Sequence, residues 1–131
     1  MSDKVRMSVA EVQELAETVL GRLGLAPRQV SAVAATIAAG ERDGCAAHGL
    51  YRLLVCAHTV KAGKVTLDPK PEVDDLAPAL VRVDCHGGYA QIGFELGRPL
   101  VNDKAKRCGI AALAINNCVH FAALWPEVET L

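Results

Sequence analysis

A chain of 131 residues is long enough for one modest domain with a buried core, and 51% apolar residues with a mean hydropathy of +0.22 exclude a disordered tail. A net charge of −1 and a pI near 6.4 exclude the electrostatic footprint of a nucleic-acid binder or of a protein drawn to anionic membranes. No apolar run approaches the roughly 18 residues of a membrane-spanning helix, and Met1 to Arg6 lacks the apolar core of a secretory signal, so a cytoplasmic protein is expected.

In chain order, Ser8-Val-Ala-Glu11 forms a capping box, and Val9, Val12, Leu15, Val19 and Leu20 follow at helical spacing until Gly24. Pro27 suits the first turn of a second helix running to about Asp43, with Val30, Val33, Ala34, Ile37 and Ala38 on one face. A third helix is expected from about Ala47 to Ala62, closed by Gly63, with Leu50, Leu53, Leu54 and Ala57 as its buried stripe. Lys64 to Pro78 is rich in proline and acid and reads as a surface crossing. Ala79–Asp84 reads as a strand, with Gly87-Gly88 as the turn behind it. Tyr89–Arg107 reads as a helix with a kink or break at Gly97 and Pro99, because proline in a helix interior costs about 3 kcal/mol. Ile110–Ile115 is a continuous apolar run, read as a buried strand, and a last helix is expected around Phe121. The pattern predicts an α+β or α/β fold: residues 1–63 as a helical unit, and residues 64–131 as the opening of an α/β part with two strands.

Chemistry concentrates in Glu41-Arg-Asp-Gly-Cys-Ala-Ala-His-Gly-Leu-Tyr-Arg52. On a helix beginning near Ala47, His48 and Arg52 would share one face. A histidine titrates near neutral pH and an arginine pairs bidentately with a carboxylate. A proton-transfer group beside a carboxylate clamp is what a 2-oxo or 2-imino acid substrate requires. The five cysteines (Cys45, Cys56, Cys85, Cys108, Cys118) form no C-x-x-C and read as reduced thiols, mostly core filler. The four histidines show no metal-ligand spacing, so no metal is expected.

Arg42-Asp-Gly-x-x-x-His-Gly-x-x-Arg52 resembles the signature of the malate/L-lactate dehydrogenase family, whose members lack the Rossmann fold. Asn117-Cys-Val-His-Phe-Ala-Ala-Leu-Trp-Pro-Glu-Val-Glu129 resembles one of its branches, the Δ1-piperideine-2-carboxylate/Δ1-pyrroline-2-carboxylate reductases. The resemblance implies a helical N-terminal part feeding a non-Rossmann NADP-binding α/β domain, here truncated, and a homodimer for the full-length enzyme. It implies NADPH (with NADH as the alternative) as cofactor, a small imino or 2-oxo acid as substrate, and a place in amino-acid metabolism. By the same resemblance His48 is the proton donor, Arg52 binds the substrate carboxylate, and His120, Phe121, Ala122, Ala123 and Leu124 bind the cofactor. Ala47 stands where the family usually has a serine that helps to orient the histidine, so that relay is expected to be lost. Cys118 and Val119 replace a serine and a histidine usual in the branch, and Leu54 replaces a proline. The family's relay aspartate and further cofactor segments are expected beyond Leu131, so the chain alone is expected to be an inactive N-terminal piece. Two other readings stand beside imine reduction: a malate- or lactate-type 2-hydroxy acid dehydrogenase, and a non-catalytic remnant.

Overall fold

The computed structural model describes residues 5–120 and 123–131. Helix α1 (Val9–Arg22) opens on the expected capping box: the Ser8 hydroxyl accepts from the Glu11 N–H at 3.2 Å, and the Glu11 carboxylate accepts from the Ser8 N–H at 2.7 Å. Helix α2 (Pro27–Arg42) starts on its proline. α1 packs along α2, burying Ala16 and Leu20 against Val33, Ala34 and Ile37. A short 3-10 turn (Ala46–His48) and helix α3 (Tyr51–Lys61) complete the helical unit.

The remainder is a three-stranded sheet with one long helix on it. Strands β1 (Glu72–Ala77) and β2 (Leu80–Asp84) form an antiparallel hairpin. Helix α4 (Ala90–Cys108) then carries the chain over to β3 (Ala112–Asn116), which pairs parallel with β2 in the order β1-β2-β3. A single bridge, Tyr89 to Val119, extends that parallel ladder, and helix α5 (Trp125–Glu129) ends the described chain. The fold class is therefore α+β, as expected, but four local readings are corrected.

β1 falls inside the supposed surface crossing. Its prolines, Pro71 and Pro78, lie just outside the strand rather than within it, where they cost no ladder hydrogen bond. Acid on an exposed edge is tolerated because Arg82 donates to Asp74 at 2.7 Å across the hairpin, while the buried Lys104 ammonium reaches Asp75 and the Ala77 carbonyl. α4 runs unbroken through Gly97 and Pro99. Pro99 is exposed, so the carbonyl it deprives of a partner sits on the solvent side of the helix. The glycines serve packing: a Cβ on Gly93 would lie 2.5 Å from the Cys85 sulfur, and one on Gly97 would collide with Leu113. β3 begins two residues later than expected and is half-buried: Leu113 and Ile115 pack inward while Ala112, Ala114 and Asn116 are exposed. Finally α5 starts at Trp125; Phe121 and Ala122 lie outside the described residues.

Two clusters make the core. The larger joins Ala16, Leu20, Val33, Ile37, Leu53 and Cys56 of the helical unit to Val65 and Tyr89, and the smaller joins Ala32 to Val83, Cys85 and Ile92. Between them lies Gln29, 1% exposed. Its amide donates to the Thr66 and Leu67 carbonyls at 2.9 Å each, and its oxygen accepts from the Tyr89 N–H at 2.8 Å. This one buried side chain ties α2 to the crossing loop and to the residue that starts α4.

Candidate active site

The expected single helix carrying His48 and Arg52 does not exist. Gly49 adopts φ −90° and ψ −140°, a non-helical conformation that separates the 3-10 turn of His48 from α3. Arg52 instead lies in the first turn of α3, its N–H donating to the Gly49 carbonyl at 2.9 Å. The two side chains thus come from neighbouring elements, and other contacts fix their relation.

The first is close approach. Gly40, near the end of α2, lets the His48 turn lie directly on that helix; a Cβ there would sit 2.5 Å from the His48 carbonyl oxygen. The second is a cap: the Glu41 carboxylate accepts from the Leu50 N–H at 2.8 Å and so satisfies a free donor at the start of α3. The third is at the imidazole, where the Cys45 sulfur lies 3.4 Å from Nδ1 of His48.

Arg52 is half-buried, and its Nε is buried with no hydrogen-bond partner among the described residues. No carboxylate among the described residues forms an ion pair with it, whereas Arg42, ten residues earlier, is saturated by Asp43 and Glu129. One turn further along α3, burial pushes the Cys56 thiol up, opposed in part by the hydrogen bond to Tyr89 and by the Arg52 charge.

The C-terminal segment reaches this turn through Trp125, a motif residue to which the sequence assigned no role in the site. The Trp125 ring meets His48 edge-on, with centroids 6.1 Å apart and planes at 73°. Its indole N–H donates to Asp43 at 2.6 Å. Arg42 holds the same carboxylate through Nε and Nη2, both at 2.7 Å, and also reaches Glu129 at 3.0 Å. Arg42 first and the Trp125 indole second keep the Asp43 carboxyl below the usual carboxylate range. Asp43 and Trp125 are 82 positions apart, and no local pattern connects them.

Ala47 is exposed, and its methyl group offers the imidazole no hydrogen bond. Of the expected cofactor strip, His120 and Leu124 are exposed and Ala123 is buried, while Phe121 and Ala122 lie outside the described residues. The His120 imidazole is 3.9 Å from Glu127. His120 and Leu124, on either side of Phe121 and Ala122, are open to a ligand from solvent. A cleft of about 220 Å³ between α2, α4 and α5 is lined by Ala32, Thr36, Phe94, Arg98, Pro126 and Thr130, and by none of His48, Arg52 or His120. No group of three or more metal-binding side chains occurs among the described residues.

Known proteins resemble this chain along nearly all of its length. A model described as malate/L-lactate dehydrogenase matches residues 7–131. The chain is 55% identical over 127 residues to the Δ1-pyrroline-2-carboxylate/Δ1-piperideine-2-carboxylate reductase of Pseudomonas aeruginosa, covering 97% of this chain and 38% of that protein. It is 48% identical over 132 residues to the Δ1-pyrroline-2-carboxylate reductase of Agrobacterium fabrum, covering 100% and 38%. Its fold superposes on the crystal structure of the Δ1-piperideine-2-carboxylate reductase from Pseudomonas syringae pvar. tomato with a TM-score of 0.92 at 35% identity, covering 97% of this chain and 38% of that one. The chain therefore spans somewhat over a third of the length of these relatives.

Proposed function

The chain belongs to the malate/L-lactate dehydrogenase family, and from that premise we propose that it carries the proton-donating and carboxylate-binding half of an NADPH-dependent reductase of cyclic 2-imino acids. The substrates are Δ1-piperideine-2-carboxylate and Δ1-pyrroline-2-carboxylate, and the products are L-pipecolate and L-proline. The observation that carries this reading is Arg52: a half-buried guanidinium with no carboxylate partner among the described residues, four residues after a histidine anchored at one ring nitrogen. An arginine left unpaired at such a place is a binding site for a ligand carboxylate, since a buried donor without a partner costs free energy until one arrives.

In this reading Arg52 grips the substrate carboxylate in a planar fork and so fixes the plane of the adjacent C=N bond. His48 offers a proton to the imine nitrogen from Nε2, because Nδ1 faces Cys45. When bound along His120, Phe121, Ala122, Ala123 and Leu124, NADPH supplies hydride to carbon 2. Residues 1–63 supply the acid and the clamp, and residues 64–131 open the cofactor-binding part. The proposal includes a cytoplasmic enzyme of amino-acid metabolism, homodimeric at the length of its relatives; no helix among the described residues is long and apolar enough to cross a membrane.

The test is a chimera in which residues 1–131 replace the matching segment of the Pseudomonas aeruginosa relative. With NADPH it is expected to reduce the two cyclic imino acids at least tenfold more efficiently than it interconverts pyruvate and lactate or oxaloacetate and malate. The reverse preference would establish the 2-hydroxy acid reading. A folded chimera inactive on all of these would favour the remnant.

A further inference from the structure

With Ala47 unable to orient His48, something else must hold the imidazole if it is to deliver a proton. The contacts around it supply a replacement from two sides. Cys45, in the same turn, stands 3.4 Å from Nδ1. On the other side the Trp125 ring lies edge-on to the imidazole at 6.1 Å between centroids. That indole is not free to turn, because its N–H is bonded to Asp43, the residue that ends α2. Asp43 is itself fixed by two hydrogen bonds from Arg42, and Arg42 also binds Glu129, one turn beyond Trp125 in α5. Indole and imidazole are thus both referred to the end of α2.

We propose that Asp43 is a positioning residue for His48, acting through the indole of Trp125, and that this tie together with Cys45 takes over the orienting task that a hydroxyl at position 47 would perform. The proposal rests on His48 being the proton donor. The physical reasoning is that an edge-to-face aromatic contact restrains an imidazole only if its partner ring is itself held. Here the holding bond is charge-assisted, short and aimed along the indole N–H. As the imidazolium that gives up a proton, His48 can donate its Nδ1–H to the Cys45 sulfur and keep its Nε2–H for the substrate.

Two readouts test this. The first uses the 131-residue chain and nuclear magnetic resonance of the sole tryptophan's indole N–H together with the His48 ring protons. In the parent chain the indole N–H is expected to be slow in exchange and the His48 ring protons to be shifted by the neighbouring ring. Asp43→Leu should release the indole and return the His48 protons to the positions they take in Trp125→Leu. Asp43→Asn, which keeps an acceptor oxygen, should preserve both signals. Circular dichroism on each variant confirms that the fold is kept. If Asp43→Leu frees the indole and leaves His48 unmoved, or if Asp43→Asn behaves like Asp43→Leu, the proposal is overturned.

The second readout is turnover in the chimera. Asp43→Leu and Cys45→Ala should each lower kcat at least tenfold with KM for the imino acid changed less than twofold, and Asp43→Asn should recover to within about threefold of the parent. Loss expressed in KM, or no loss, would overturn it. A chimera without imine reductase activity would sink the functional reading, while the spectroscopic arm would still decide whether Asp43 orders the His48 ring.

Discussion

Replacing Gln29 by leucine isolates the side chain that joins the helical unit to the sheet. Leucine is close in volume and fills the site, so the change removes hydrogen bonds and leaves no large cavity. Three bonds are lost, but they do not weigh equally. The Leu67 carbonyl keeps a second donor, the Ala26 N–H at 2.8 Å, and Thr66 is exposed enough for water to replace the amide. The Tyr89 N–H cannot turn to water in this way, because Tyr89 is fully buried and leucine accepts nothing. An orphaned buried donor costs about 1–3 kcal/mol, and each bond exchanged for water about 0.5–1.5 kcal/mol. The expected loss is about 2–4 kcal/mol, which for a chain of this size lowers Tm by roughly 6–15 °C. Tyr89 also bridges to Val119, next to His120, so the loss should be felt where the proposed cofactor strip begins. Thermal unfolding followed by circular dichroism reads the stability term. A fall in Tm under about 3 °C would refute the reasoning, by showing that the Tyr89 N–H is not held by Gln29 alone.

Further outcomes follow from the same contacts. In the chimera, Arg52→Lys should raise KM for the imino acid about tenfold or more and leave KM for NADPH within twofold, because an ammonium cannot reproduce the guanidinium fork; equal effects on both would remove Arg52 from the substrate site. Gly97→Ala should destabilise the chain by about 1–3 kcal/mol in urea unfolding, since the new methyl collides with Leu113 of β3; a stabilised variant would show that α4 and the sheet have slack there. The Asp43 carboxyl is held below its ordinary value of 3.8 by Arg42 and the Trp125 indole, so its stabilising contribution is complete above that value and is lost only as pH falls through the lowered one. In a His48→Gln background, which removes the imidazole beside the indole, tryptophan fluorescence should therefore stay level from neutral pH down to about pH 4 and change below it; a transition centred near pH 6 would identify another group as the controlling one.

Much of the helical part was legible because its signals are local. Ser8 and Glu11 are three residues apart, Pro27 marks a helix start by its own ring, and the apolar spacing of α1 and α2 needs no knowledge of the fold. The errors arose where distant partners decide. β1 is an exposed acidic strand stabilised by Arg82 and Lys104, residues 8 and 29 positions away, and nothing inside Glu72–Ala77 announces it. Gly97 and Pro99 looked like helix breakers because the surface they pack against, or face away from, is set by β3. His48 and Arg52 were expected on one helix, but that helix is not there, since Gly49 lies against Glu41 and the chain leaves helical geometry between them. Gln29 left a trace that was readable: it precedes Val33 and Ile37 at four-residue intervals, a polar residue in line with a buried stripe. Asp43 and Trp125 left none, for their meeting depends on the whole path from α2 to α5.

The most direct measurement of the division of labour between His48 and Arg52 is the steady-state rate of imine reduction by the chimera with His48→Gln, at saturating NADPH. Glutamine keeps a polar side chain of similar reach but supplies no titrating proton. The expected result is a fall in kcat of about 100-fold or more with KM for Δ1-piperideine-2-carboxylate nearly unchanged, because Arg52 still holds the carboxylate. Turnover within a few-fold of the parent would contradict the assignment of His48 as the proton donor, and with it the reading of this turn as the catalytic one.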